Sequence, residues 1–161
     1  MKVSILMGSD SDFPIVEKCI NTLKEFGVEV EARVLSAHRT PHLAIEYAIG
    51  AEARGVDVII GAAGKAAHLP GVIAGVTVLP VIGLPIMSST LDGLDSLLSI
   101  VQMPSGIPVA TVAINGAENA ALLAVQMLSI KYPELRKKMH DYKKSMSDQV
   151  VEKDRSIQSK Y

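Results

Sequence analysis

The sequence predicts an α/β protein: a parallel β-sheet covered by helices on both faces. Two observations carry this. Five short, apolar, β-rich runs alternate along the chain with segments whose apolar residues recur at helical spacing, which is the pattern of βα units joined by right-handed crossovers. The segment after each run is rich in Gly, Ser, Asn and His. In parallel sheets those segments lie outside the carboxyl ends of the strands, where ligands bind at the switch in strand order. A chain of 161 residues is long enough for one such domain with a real core, so residues 1–161 are expected to form a single unit.

The elements follow in order. "KVSILM" (2–7) is the first strand and stops at Gly8; "GSDSD" (8–12) is a loop. From Asp12, a candidate N-cap with Pro14 in the first turn, a helix is expected from the spacing of Ile15, Val16, Cys19, Ile20, Leu23 and Phe26. "VEVEARVL" (28–35) alternates as a strand does. After "SAHRTP" (36–41), Thr40 reads as an N-cap and Pro41 as the first helical residue; Ala44, Ile45, Ala48 and Ile49 form the helix face and Gly55 ends it. "VDVII" (56–60) is a strand apolar enough to be buried on both sides. "GAAGKAAHLPG" (61–71) reads as a long loop of small residues. "LPVIGLP" (79–85) holds the fourth strand, with "MSST" (87–90) after it and a helix over "LDGLDSLLSIVQM" (91–103). "IPVATVAI" (107–114) is the fifth strand, and "NGAENAALLAVQMLSI" (115–130) is a helix apolar nearly all round. Beyond Pro133, Leu135, Met139, Tyr142, Met146 and Val150 recur at helical spacing with Lys and Arg between them, predicting an amphipathic C-terminal helix over 133–155.

Composition narrows the function. A net charge of −1 gives no footprint for nucleic acid or an anionic membrane surface, and no run approaches the length of a membrane span. The apolar run in "MKVSILMGSDSD" is too short for a signal peptide. The single cysteine, Cys19, cannot form an internal disulfide, which fits a cytoplasmic location. It falls on the apolar side of its helix, so it is expected to be a small buried hydrophobe rather than a nucleophile.

The chemistry lies in the loops. "GSDSD" joins a strand to a helix N-terminus, where backbone N–H groups and the helix dipole favour a phosphate, and Ser9 and Ser11 add hydroxyls. A carboxylate such as Asp12 suits ribose hydroxyls, although Asp12 and Ser11 also suit plain helix capping. Arg39 is a planar cation fitted to bidentate phosphate binding, against the simpler role of a surface ion pair. Its neighbour His38 carries an imidazole, a side chain able to give or take a proton; the alternative is a histidine satisfied by a backbone carbonyl. His68 also falls in a candidate ligand loop, though "HLPG" can simply start a short helix. No Cys/His/Asp spacing resembles a zinc or iron site, and no G-x-S-x-G or G-x-G-x-x-G is present. "GAAGKA" lacks the spacing, and the Ser or Thr after Lys65, of a phosphate-binding P-loop.

"MGSDSD", "SAHRTP", "AAHLPG" and "LDGLDSLLSIVQMPSGIPVATVAI" occur in this order and at similar spacing in one family. The chain closely resembles the catalytic subunit of phosphoribosylaminoimidazole carboxylase, of the bacterial type that acts as N5-carboxyaminoimidazole ribonucleotide mutase, over about residues 2–150. The resemblance implies a three-layer αβα sandwich with a five-stranded, parallel, flavodoxin-like sheet and an extended C-terminal helix. It also implies a step of de novo purine synthesis, in which a carboxylate moves from the exocyclic nitrogen of an aminoimidazole ribonucleotide to ring carbon C4 without metal, ATP or biotin. By the same resemblance Ser9 and Arg39 hold the 5′-phosphate and Asp12 the ribose. Ser36, Ala63 and Gly64 line the base and carboxylate pocket, with Lys65 and His68 beside them, and His38 carries the proton.

One position departs from the family pattern: Lys65 stands where glycine is usual. A cation there could hold CO2 or carbamate, or shift the carbon donor toward direct carboxylation of the unmodified ribonucleotide by CO2; the simpler expectation is that it points to solvent or to a neighbouring subunit. A non-catalytic nucleotide-binding module of the same fold is the reading from another class. The resemblance implies a homo-octamer with shared sites. Independently, the apolar circumference of the 117–130 helix and the stripe on the tail ask for a partner surface, for which a neighbouring subunit is the simplest candidate.

Overall fold

Five parallel strands pair in the order β2-β1-β3-β4-β5 in the computed structural model, which describes residues 1–161. They are β1 (Lys2–Met7), β2 (Glu29–Val34), β3 (Val58–Gly64), β4 (Val81–Ile86) and β5 (Ala110–Thr111). The helices are α1 (Phe13–Glu25), α2 (Pro41–Ile49), α3 (Leu69–Ala74), α4 (Leu94–Val101), α5 (Ala117–Leu128) and α6 (Pro133–Gln158). Because β1 pairs with β2 on one side and β3 on the other, the order reverses at β1, and the crevice at the switch point opens between the β1 and β3 loops.

Strand alternation divides the interior into two cores. Val3, Ile5 and Met7 of β1, Val58, Ile60 and Ala62 of β3, and Ile82, Leu84 and Ile86 of β4 face α1 and α5. Leu6, Ile59, Ala63 and Val81 face the other way, among residues of α2, α3 and α4. This is the period-two pattern of strands buried on both faces. Two glycines let helices lie close to that second face. A Cβ on Gly61 would stand 3.1 Å from Pro70 of α3, and one on Gly83 would stand 2.2 Å from Cγ2 of Ile100 in α4. Cys19 is fully buried, and burial pushes its thiol up to about 12, so it stays an inert hydrophobe as expected.

Several local expectations change. The "GAAG" read as loop is the second half of β3, since Gly61 to Gly64 pair with Gly83 to Ile86; small residues here serve sheet packing rather than looseness. Asp12 makes no side-chain cap bond: a 3-10 turn over Asp10–Asp12 precedes α1, and Ser9 caps that turn. Thr40 does not cap α2 either, because its hydroxyl is bound to Ser36. On α2 the inward face is Ala44, Tyr47 and Ala48, while Ile49 is 63% exposed. The helix stops at Ile49, and Gly55, at φ 77°, terminates the 3-10 turn that follows.

The fifth strand keeps only two ladder residues. Beyond Thr111 the chain still runs beside β4, with Val112 donating to the Gly83 carbonyl, but the regular pairing is lost at this sheet edge. The apolar circumference of α5 is met largely by its own chain: six of its residues are buried, and Leu122, Leu123 and Met127 pack on the same core, because α1, α6 and the sheet all surround it. That helix therefore makes no demand for a partner. The C-terminal helix is longer than expected and divides in two. Leu135 and Met139 are buried, Tyr142 packs on Phe26 at 5.7 Å, and Lys138 donates to the Phe26 carbonyl at 2.7 Å. Met146 and Val150 are 50% and 64% exposed, so the stripe's second half has no cover within the chain.

Candidate active site

A cleft of about 700 Å³ lies at the carboxyl ends of β1 to β4. Every site residue singled out in the sequence lines it: Ser9 and Asp12 from the β1 loop, Ser36, His38 and Arg39 from the β2 loop, and Ala63, Gly64, Lys65 and His68 from β3 and its loop. Residues 30 to 60 positions apart converge because parallel strands deliver all their carboxyl ends to one edge.

The β1 loop is a tight polar turn. Ser9 Oγ accepts from the Ser11 hydroxyl at 3.0 Å, and the Ser9 carbonyl accepts from the Asp12 N–H at 3.2 Å. Asp12 is buried, and burial pushes its carboxyl upward, against the opposing hydrogen bonds from Ser9 and Ser11 and the nearby Arg39 charge. The β2 loop is wound about Ser36, whose hydroxyl oxygen accepts from the N–H groups of His38 at 3.3 Å and Arg39 at 3.1 Å. Thr40 closes the same loop, accepting from the Ser36 N–H at 2.9 Å. Ser36 thereby sets the direction in which both neighbouring side chains leave the backbone. Arg39 reaches from the β2 loop to the β1 loop and donates one N–H to the Gly8 carbonyl at 2.6 Å, leaving its other donors for a ligand.

His38 Nε2 and His68 Nδ1 are 2.8 Å apart, with their rings in an edge-to-face arrangement. One ring donates and the other accepts, so the imidazole from the β2 loop is oriented by the one from the β3 loop. His38, Arg39, Lys65 and His68 are all exposed, so within one chain the cleft is open to solvent. Lys65 makes no hydrogen bond or ion pair and sits at φ 57°, the left-handed region. That backbone conformation supplies a physical reason for glycine to be usual here.

Strand order placed the segment after β4 among the candidate ligand loops, but no residue in it was singled out. Ile86, Met87, Ser88 and Ser89 form the fourth wall of the cleft, and by residue type nothing in "PIMSST" marks them individually. The segment after β5, from Asn115 on, does not line the cleft.

By fold and by the position of its cleft this is a flavodoxin-like α/β protein with its site at the switch point of the sheet. Residues 2–149 match the AIR carboxylase family. The chain is 61% identical over 156 residues to the N5-carboxyaminoimidazole ribonucleotide mutase of Pyrococcus horikoshii, covering 97% of this chain and 88% of that protein. It is 57% identical over 152 residues to the protein of the same name from Thermotoga maritima, covering 94% and 89%. The crystal structure of Treponema denticola PurE superposes with a TM-score of 0.84 at 34% identity, covering 94% of each chain. The chain belongs to the AIR carboxylase family of enzymes.

Proposed function

We propose that this chain is an N5-carboxyaminoimidazole ribonucleotide mutase of de novo purine synthesis, active in the cytoplasm without a cofactor. The observation that carries the reading is the meeting of Arg39, Asp12 and the paired His38 and His68 around one cleft, in a chain so similar to proteins of that name. Arg39 and Ser9 clamp the 5′-phosphate and Asp12 accepts from the ribose hydroxyls, which fixes the imidazole ring against the β3 loop. Ser36, Ala63 and Gly64 line the base and carboxylate. The reaction then needs one proton in and one proton out. His38 protonates the carbamate nitrogen, the N–C bond breaks, and CO2 leaves an aminoimidazole that is an enamine, nucleophilic at C4. C4 attacks the CO2, the C4 proton returns to His38, and the imidazole ends in its starting state. CO2 must recombine before it escapes, so confinement matters as much as proton transfer.

The test is to follow 4-carboxy-5-aminoimidazole ribonucleotide formed from the carbamate substrate, and separately from aminoimidazole ribonucleotide plus bicarbonate. Preference for the carbamate is expected. Glycine is the usual residue at this place in the family and suits the left-handed backbone of Lys65, so Lys65→Gly is expected to retain mutase activity. The change removes about 1–2 kcal/mol of backbone strain and adds about 0.5–1 kcal/mol of unfolded-state entropy, so its melting temperature should hold or rise slightly. Loss of activity on the carbamate in that variant, or preference of the parent for bicarbonate, favours direct carboxylation instead.

The cleft's openness and the uncovered apolar surface support a homo-oligomer, an octamer, whose neighbouring subunits complete each site and pack on α6. The exposed residues Leu91, Leu94, Leu98 and Val101 on and beside α4, with Met146 and Val150 on α6, are that surface. Sedimentation at low micromolar concentration is expected to give eight chains; a monomer refutes the oligomer, and a dimer refutes the octamer alone.

A further inference from the structure

All four non-glycine residues with left-handed backbones, Lys65, Leu91, Asp92 and Asn115, lie in the connections that follow the strands' carboxyl ends, Leu91 and Asp92 in a 3-10 turn. Asn115 is unlike the other three in having its side chain committed. Its backbone N–H donates to the Pro85 carbonyl at 2.8 Å, and its side-chain Oδ1 accepts from the Met87 N–H at 2.9 Å. In a parallel ladder one residue donates to the residue before its partner and accepts from the residue after it. Asn115 makes both of these bonds to β4, with its amide oxygen standing in for its backbone carbonyl. That carbonyl is engaged elsewhere, accepting from the Ala117 N–H at 2.8 Å as the chain turns into α5. The left-handed backbone, at φ 55°, makes the substitution possible, since it swings the main chain toward α5 while the side chain stays beside β4. Asparagine is among the few residues other than glycine that adopt this conformation readily, and its side chain mimics a backbone carbonyl.

The bond therefore extends the β4·β5 pairing one step past the end of β4, to the residue where the chain leaves the sheet and becomes the cleft wall of Met87, Ser88 and Ser89. We propose that Asn115, outside the cleft, is a positioning residue that holds this wall against the substrate and so keeps CO2 in the site. The inference rests on the mutase reading. When the carbamate N–C bond breaks and its nitrogen takes a proton, the CO2 has two fates. It adds to C4, releasing the C4 proton, or it escapes and leaves aminoimidazole ribonucleotide, with one proton consumed. A loosened wall favours escape.

The experiment measures both products from the carbamate substrate, subtracting the enzyme-free decarboxylation, together with KM and melting temperature. Asn115→Gly adopts the left-handed backbone readily and removes the acceptor with the rest of the side chain; Asn115→Asp keeps an acceptor of the same reach. A net hydrogen bond of about 0.5–1.5 kcal/mol corresponds to about two- to tenfold. Asn115→Gly is therefore expected to raise KM and the enzyme-dependent share of aminoimidazole ribonucleotide by about that factor, while the folded protein persists. Asn115→Asp is expected to restore both. An unchanged partition and KM in Asn115→Gly overturns the proposal, as does an Asp variant that partitions like the Gly variant. Absence of carboxylated product from the parent protein overturns the mutase reading instead.

Discussion

His38→Asn is expected to abolish measurable turnover of the carbamate while leaving substrate affinity within about tenfold of the parent, or about 1.4 kcal/mol. Proton transfer by a positioned side chain contributes about 10²–10⁴ in rate and little ground-state affinity. Asparagine preserves polarity and reach at this exposed position but cannot carry a proton. Turnover by single-turnover kinetics, with affinity from direct titration of a non-reacting product analogue, separates the two effects. His68, which orients His38 from 2.8 Å, is retained in this variant, so the loss reads the His38 imidazole alone. Near-parent turnover in His38→Asn refutes His38 as the proton carrier.

Arg39→Ala is expected to act on the other side of that division, weakening apparent affinity far more than it slows the bound chemistry. Charge-assisted hydrogen bonds contribute about 1.5–3 kcal/mol each, so losing even one costs about 10–100-fold. Because Arg39 is exposed, parent affinity should also fall as salt rises, and the Ala variant should lose much of that dependence. Arg39→Lys keeps the charge without the planar fork and should fall between the two. The substitution also removes the bond to the Gly8 carbonyl, which ties the β2 loop to the β1 loop. A maximal rate that falls with apparent affinity unchanged would mean that Arg39 orients the loops rather than clamping phosphate.

The candidate site was unusually legible because its residues carry local signals. "SAHRTP" places an imidazole, a guanidinium and a helix start within six residues, and "GSDSD" sits where a strand meets a helix. The wall after β4 was marked only by its place after a strand, with no residue in it singled out. Ser88 and Ser89 are ordinary turn residues by type, and only the packing of β4 beside β3 brings them to the cleft. Asn115 carried no sign of acting as a strut, since its role depends on where Met87 lies in space. The capping assignments failed for a related reason. Thr40 has the right chemistry for a cap, but a competing partner, Ser36, stands four residues away in a loop whose shape the sequence does not reveal.

The sequence by itself determined the alternation of strands and helices, the sheet edge that carries the site, and most of the residues gathered there. Those follow from periodicity and from strand-to-loop order, which are properties of neighbours along the chain. The tertiary structure alone decided which apolar surfaces are covered. The stripe on the C-terminal helix is uniform in sequence, yet Leu135 and Met139 are buried on the chain's own domain while Met146 and Val150 are not. The helix is about 39 Å long, 26 residues at a rise of about 1.5 Å each, and it outruns the domain that its first turns pack against. Periodicity marks a face that must find apolar contact; whether the contact comes from the same chain depends on how far the core extends beneath it.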